Sequence, residues 1–265
     1  MGTPDYINKI VILGAGSVAT HLAIALDKSG YKISQIYSRT SGSAELLSLK
    51  INSEYITDLK HLDTDADLYI IALKDSVVEC LIRKLFVNGI VVHTSGTLPM
   101  AVLKNMSSSY GVFYPLQTFS KSRSISFDHI PVCIEASDPR TLQSIRLVAQ
   151  NLTDKIFEID SEQRQYLHLS AVFSCNFSNF MYVVAADILK SRNINFEILI
   201  PLIREFLDKV SVMDPWDAQT GPAIRDDGSI ISRQLELLDT FPEYKEIYRQ
   251  ITEKIIDRKN KENNP

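Results

Sequence analysis

The sequence predicts an α/β chain: a mainly parallel sheet with helices on both faces, followed by an all-helical C-terminal domain. Three observations carry this. Short apolar runs alternate with helical patterns up to about residue 160. The first of those runs ends in a glycine-rich turn that opens a helix. From about Ser161 onward only long helical patterns remain. The expected domains are therefore 1–160 and 161–265.

The elements follow in order. "KIVILGAG", from Lys9, is an apolar run that reads as a buried strand feeding a tight turn. "SVATHLAIALDKSG" puts Val18, Leu22, Ala25 and Leu26 on one helical face, with Gly30 as the stop. "KISQIYS" is a second strand, "SGSAELLSLK" a short helix, and "SEYITDL" a connection with room for a brief strand. "ADLYIIAL" is apolar nearly throughout, as a strand buried on both faces should be. "SVVECLIRKLF" reads as helix, "GIVVHTSG" as strand, "MAVLKNM" as helix, and "GVFYPLQTF" begins as strand. "HIPVCIEA", a helix at about 139–151 and "KIFEID" complete the sheet. The tail divides into one long helix over "EQRQYLHLSAVFSCNFSNFMYVVAADILKSR" and three shorter ones, with "KNKENNP" frayed at the end.

Composition narrows the class. Apolar residues make up 45% and charged residues 23%, ordinary for a soluble globular protein. A net charge of −4 gives no reason to expect nucleic acid or a membrane surface as partner. No apolar stretch approaches the ~20 residues that span a bilayer. "MGTPDY" lacks the pattern of a signal peptide, and Tyr6 spoils the myristoylation motif that Gly2 hints at. Cys80, Cys133 and Cys175 are too scattered for a disulfide framework or a zinc site, which fits the cytoplasm.

Gly14, Gly16 and Ala19 form G-x-G-x-x-A. The first permits a sharp turn, the second lets a pyrophosphate approach, and the alanine lets helix and strand pack closely. Ser17 and Val18 open the helix, whose free N–H groups suit phosphates. This is the fingerprint of a Rossmann-type dinucleotide site, though glycines can serve a turn alone. About twenty residues on, where a carboxylate usually holds the ribose, stand Ser38, Arg39 and Thr40. A guanidinium and two hydroxyls suit a 2′-phosphate, so NADP is expected rather than NAD; the bland reading is a solvated arginine. Leu73 and Lys74, after a central strand, are assigned to the same crevice. Lys74 and Asp75 either flank the nicotinamide half or belong to a polar loop in which Asp75 or Ser76 caps the next helix.

The first domain resembles the NADP-binding domain of pyrroline-carboxylate reductases, β-hydroxyacid dehydrogenases and deazaflavin-dependent NADP reductases. "GAGSVATHLA", "YSRT" and "HTSGT" carry that likeness. The whole chain resembles a bacterial group of NADP oxidoreductases with the helical C-terminal domain DUF2520. There the motifs are "HTSG", "YPLQTF", "AVFSCNFSN" and "TGPAIRDD". The resemblance implies fold and cofactor, and a homodimer built through the helical domain. It implies no substrate, and Tyr114 before Pro115 departs from the His-Pro of prephenate dehydrogenases.

The candidate catalytic residues are Asn176, His93 and Ser95. His93, Ser95 and Gly96 end a strand at the cofactor edge. His93 suits acid or base work and Ser95 can donate to a substrate oxygen; the alternatives are a packed histidine and a capping serine. "SAVFSCNFSNF" is rich in small residues, with Asn176 and Asn179 three apart on one helical face and His168 two turns earlier. Thr220 and Arg225 either reach a ligand anion or belong to a turn capped by Asp226 or Asp227. Met213 and Trp216 are read as core. Two further readings are a non-catalytic NADP sensor and a helical interaction protein with a vestigial fold. An enzyme acting on a small-molecule substrate is preferred.

Overall fold

Strand alternation and burial on both faces give this chain an eight-stranded sheet in the order β3-β2-β1-β4-β5-β6-β7-β8. The computed structural model describes residues 6–81 and 85–263. The strands are β1 (Lys9–Leu13), β2 (Lys32–Tyr37), β3 (Glu54–Ile56), β4 (Leu68–Ile71), β5 (Ile90–His93), β6 (Tyr110–Pro115), β7 (Val132–Ala136) and β8 (Ile156–Glu158). All neighbours run parallel except β6 and β7. The first six strands thus have the 3-2-1-4-5-6 order of a doubly wound nucleotide-binding sheet.

Period-2 alternation sorts β1 onto two cores. Ile10 and Ile12 pack with helices α1 (Ser17–Lys28), α2 (Ser41–Ile51) and α4 (Pro139–Gln150). Val11 and Leu13 pack with α3 (Asp75–Leu81) and a 3-10 turn at Met100–Leu103. That turn stands where a helix was expected over "MAVLKNM". Leu85 to Val87 are not helical, so the helix expected over "SVVECLIRKLF" ends sooner. Its residues 82–84 lie outside the described residues, as do the N-terminal residues 1–5 weighed for processing.

The chain stays helical from Ser161 to Lys190. α5 (Ser161–Ala171) passes into a π-helical turn at Val172–Phe177 and then α6 (Ser178–Lys190). The capping box of Asp160 and Gln163 starts it. By length and composition this stretch is apolar enough to cross a bilayer, which the sequence reading did not anticipate. Its first turns, however, bury Arg164 completely against the sheet unit.

The chain divides into two compact units, Met1–Asn176 and Phe177–Pro265. The division falls beyond the expected 160/161 because Arg164 and His168 of α5 bond to sheet residues. The second unit holds α7 (Ile200–Val212), α8 (Gly228–Leu237) and α9 (Pro242–Asn263), with no strand among its described residues. α9 continues through most of the tail expected to fray; residues 264 and 265 lie outside the description.

Candidate active site

The glycine turn sits where the strand order reverses, between β1 and β4. Gly14 has φ of +131°, and a Cβ there would lie 2.3 Å from the Ala72 carbonyl oxygen at the end of β4. Only glycine fits. Its N–H donates to the Tyr37 carbonyl at 2.8 Å, linking the turn to the end of β2. Gly16 is different: nothing lies within 4 Å of its Cβ position. It faces open space at the start of α1, with no side-chain cap and no acidic residue in the first turn. Ser17 and Val18 therefore present N–H groups to whatever occupies that space. Ala19 is fully buried and holds the helix close to the sheet.

β2 delivers the next three residues. Ser38 Oγ accepts from the Thr40 N–H at 3.4 Å. Thr40 precedes α2 without a side-chain capping bond. Arg39 is exposed and has no ion-pair partner among the described residues. Leu73 Cδ2 lies 3.5 Å from the Gly14 Cβ position, so it lines the turn. Lys74 is exposed, and its carbonyl accepts the first helical bonds of α3. The Asp75 carboxylate accepts from Thr97 Oγ1, tying this loop to the one after β5.

The loop after β5 departs from expectation. His93 is fully buried. Its Nδ1 accepts from the Ser95 N–H at 3.2 Å, so Nε2 carries the proton. Burial and the nearby Arg164 guanidinium push its pKa down to about 4. His93 is thus a neutral packing residue, not the expected acid or base. Ser95 Oγ accepts from the Thr97 and Leu98 N–H groups, both at 3.0 Å. Thr97 gives its hydroxyl proton to Asp75, so the Ser95 hydroxyl donates to Thr97 Oγ1 at 3.2 Å. Every bonding position of Ser95 within reach is used in the turn, and the expected donor to substrate is a cap.

Two residues that the sequence reading did not single out organise this corner. Arg164 Nε donates to the Ser95 carbonyl at 3.2 Å, Nη2 to the Leu98 carbonyl, and Nη1 to Glu135 at 2.5 Å. Glu135 on β7 also accepts from Ser161 Oγ at 2.8 Å. "SEQRQYL" carries no sign of this, because nothing local marks which arginine is buried. His168, whose spacing alone marks it in the sequence, joins the same corner. Its ring packs on the loop so closely that a Cβ at Gly96 would lie 2.6 Å away. Its Nδ1 meets Tyr114 Oη at 3.0 Å. Burial raises the Tyr114 pKa to about 12, so the phenol stays protonated against the ring.

Asn176 is exposed on the π turn, and Asn179 is exposed on α6 in the second unit. The π turn shifts the helical register, so wheel arithmetic placing both on one face does not carry across it. "TGPAIRDD" is a structural turn: Gly221 has φ of +110°, Asp227 accepts from the Ile230 N–H at 3.2 Å, and Asp226 pairs with Lys259. Thr220 and Arg225 are exposed beside it. Met213 and Trp216 are not core. Met213 is exposed, and Trp216 bonds Glu262 and lies 4.7 Å under the Arg258 guanidinium.

Family models match both parts of the chain. Residues 5–117 match a Rossmann-like domain, and residues 130–255 match DUF2520, a domain of unknown function. A crystal structure from Bacteroides fragilis is 43% identical, covers 96% of this chain and 99% of that one, and superposes with a TM-score of 0.89. The chain belongs to the family that joins a Rossmann-like domain to a DUF2520 domain. The Bacteroides member is provisionally named an NADP oxidoreductase. An imine reductase from Myxococcus stipitatus, solved with NADP+, shares the fold at 15% identity and a TM-score of 0.68, with 96% of this chain and 93% of that one covered. A glycerol-3-phosphate dehydrogenase [NAD(P)+] from Thermoanaerobacter sp. (strain X514) is 31% identical over 114 residues. That match takes in 37% of this chain and spans only 34% of that dehydrogenase. The DUF2520 model begins before β7, so the family's C-terminal region takes in the last two strands and α4 as well as the helices.

Proposed function

We propose that this family member is an NADP-dependent oxidoreductase acting between the nicotinamide and a small carbonyl, imine or hydroxyl metabolite. The observation that carries the reading is the turn between β1 and β4. Gly14 is compelled by Ala72, while Gly16 clears open space before an uncapped helix. Gly16 has φ of −77°, which any residue adopts, so the fold itself does not demand glycine there, whereas close approach of a pyrophosphate to the backbone would. The 43% identical Bacteroides protein, named for the same chemistry, supports it.

Bound there, the nicotinamide supplies or accepts a hydride. The protein does the rest. Gly16, Ser17 and Val18 would hold the pyrophosphate, and Ser38, Arg39 and Thr40 would hold the 2′-phosphate. Leu73 and Lys74 flank the dinucleotide. Asn176 donates its amide to the substrate oxygen, on a π turn of the kind that recurs at functional sites. His168, steadied by Tyr114, takes the proton-exchanging role expected of His93. The test is oxidation of NADPH against a panel of small carbonyls and imines. Turnover of none of them, with tight NADPH binding, would favour the sensor reading instead.

The helical unit supports a homodimer. α6, α7 and α8 bury none of their residues, and Phe180, Ile198, Leu202, Phe206, Val212 and Leu237 are exposed. A second copy would cover so much apolar surface, which monomers rarely leave to water. Light scattering should give twice the chain mass; a monomer at micromolar concentration would overturn this. The three free cysteines fit a reducing cytoplasm.

A further inference from the structure

The loop between β6 and β7 carries "FSKSRS", and one of its side chains returns to the nucleotide edge. Lys121 Nζ donates to Ser43 Oγ at 3.4 Å. Ser43 lies in the first turn of α2, whose preceding residues are Ser38, Arg39 and Thr40. We propose that Lys121 is a second cation for the 2′-phosphate of NADP, and so a determinant of NADP over NAD. This rests on the dinucleotide reading above.

Four observations support it. First, the start of α2 is prepared for an anion. Thr40 makes no capping bond and the first turn has no acidic residue; Glu45, farther along, pairs with neither cation. Second, Lys121 and Arg39 are both exposed without ion-pair partners among the described residues. A single serine hydroxyl at 3.4 Å is a weak partner for an ammonium group, which is free to turn to a phosphate.

Third, the origin of the lysine is fixed. The neighbouring Ser120 carbonyl accepts from His21 Nε2 at 2.9 Å, one turn into α1. Phe119 packs 5.1 Å from the His21 ring and 5.8 Å from Phe127. The loop is therefore stapled to the helix whose N-terminus faces the pyrophosphate. Fourth, Lys121 shares a concavity of about 410 Å³ with Lys28, Lys50 and Arg123, against one acid, Asp128. Lys28 and Lys50 sit at the far ends of α1 and α2, so this groove makes positive the face along which Lys121 reaches Ser43.

The test compares NADPH, NADH and 2′,5′-ADP binding to the full chain and to Lys121→Gln, Lys121→Arg and Arg39→Ala. Lys121→Gln should weaken NADPH and 2′,5′-ADP about tenfold and leave NADH unchanged, and Lys121→Arg should keep most of the affinity. Lys121 is exposed, so an unchanged thermal midpoint would confirm that the variants fold. Equal wild-type affinities for NADPH and NADH would overturn the NADP reading itself. A wild-type preference that Lys121→Gln leaves intact, or an equal loss for both cofactors, would overturn the Lys121 assignment alone.

Discussion

Replacing Arg164 by methionine should destabilise the sheet unit by about 3 kcal/mol. The figure follows from what the guanidinium touches. It is fully buried and supplies hydrogen bonds to the Ser95 carbonyl, the Leu98 carbonyl, Glu135 and Ser161. Methionine fills much of the space but leaves two carbonyls short of a donor. It also leaves the Glu135 carboxylate with only the Ser161 hydroxyl. Breaking a buried pair costs roughly 3–5 kcal/mol, and the lower end applies because Glu135 keeps 15% of its side chain exposed. Urea unfolding followed by circular dichroism would measure the loss as a fall in midpoint at constant slope. The double variant Arg164→Met with Glu135→Leu should recover most of it, since an apolar pair replaces an ionic one at little cost. A single-variant loss below about 1 kcal/mol, or a double variant no better than the single, would refute the reasoning.

Three other outcomes are expected. His93 has a folded pKa near 4 against 6.5 when unperturbed, so the unfolded chain binds more protons between those values. Its contribution is full above about pH 6.5 and is lost as pH falls toward 4, by about 3 kcal/mol at most. His93→Gln should flatten that part of the stability profile, and an unchanged slope would count against it. Gly14→Ala should fail to fold normally, because its Cβ meets the Ala72 carbonyl; Gly16→Ala should fold and lose dinucleotide affinity in calorimetry. Asn176→Ala should leave NADPH binding unchanged and lower turnover on the order of a hundredfold; comparable losses in both would place it in the nucleotide site instead.

The fold was legible because its signals are local. "KIVILGAG" states strand, turn and helix start in eight residues, and Gly14 needs its φ whatever lies elsewhere. The cofactor fingerprint is equally local, since an uncapped helix start and "YSRT" both sit one turn from a strand end. The corner after β5 was less legible. His93 and Ser95 carry the right chemistry at the right strand end, but chemistry alone does not say whether a side chain faces the core or the crevice.

What the sequence by itself determined was the order of strands and helices, the glycine-rich turn after β1 and the hydroxyl and guanidinium residues after β2. These follow from periodicity and from backbone sterics at single glycines. What only the tertiary structure decided was which polar groups meet. Arg164 finds Glu135, Ser95 and Leu98 across separations of 29, 69 and 66 residues. Lys121 reaches Ser43 across 78, and Tyr114 reaches His168 across 54. The reason is physical. A polar side chain takes its partners from whatever groups the packed chain brings within reach, a buried charge such as Arg164 most strictly, and no stretch of local sequence holds that geometry.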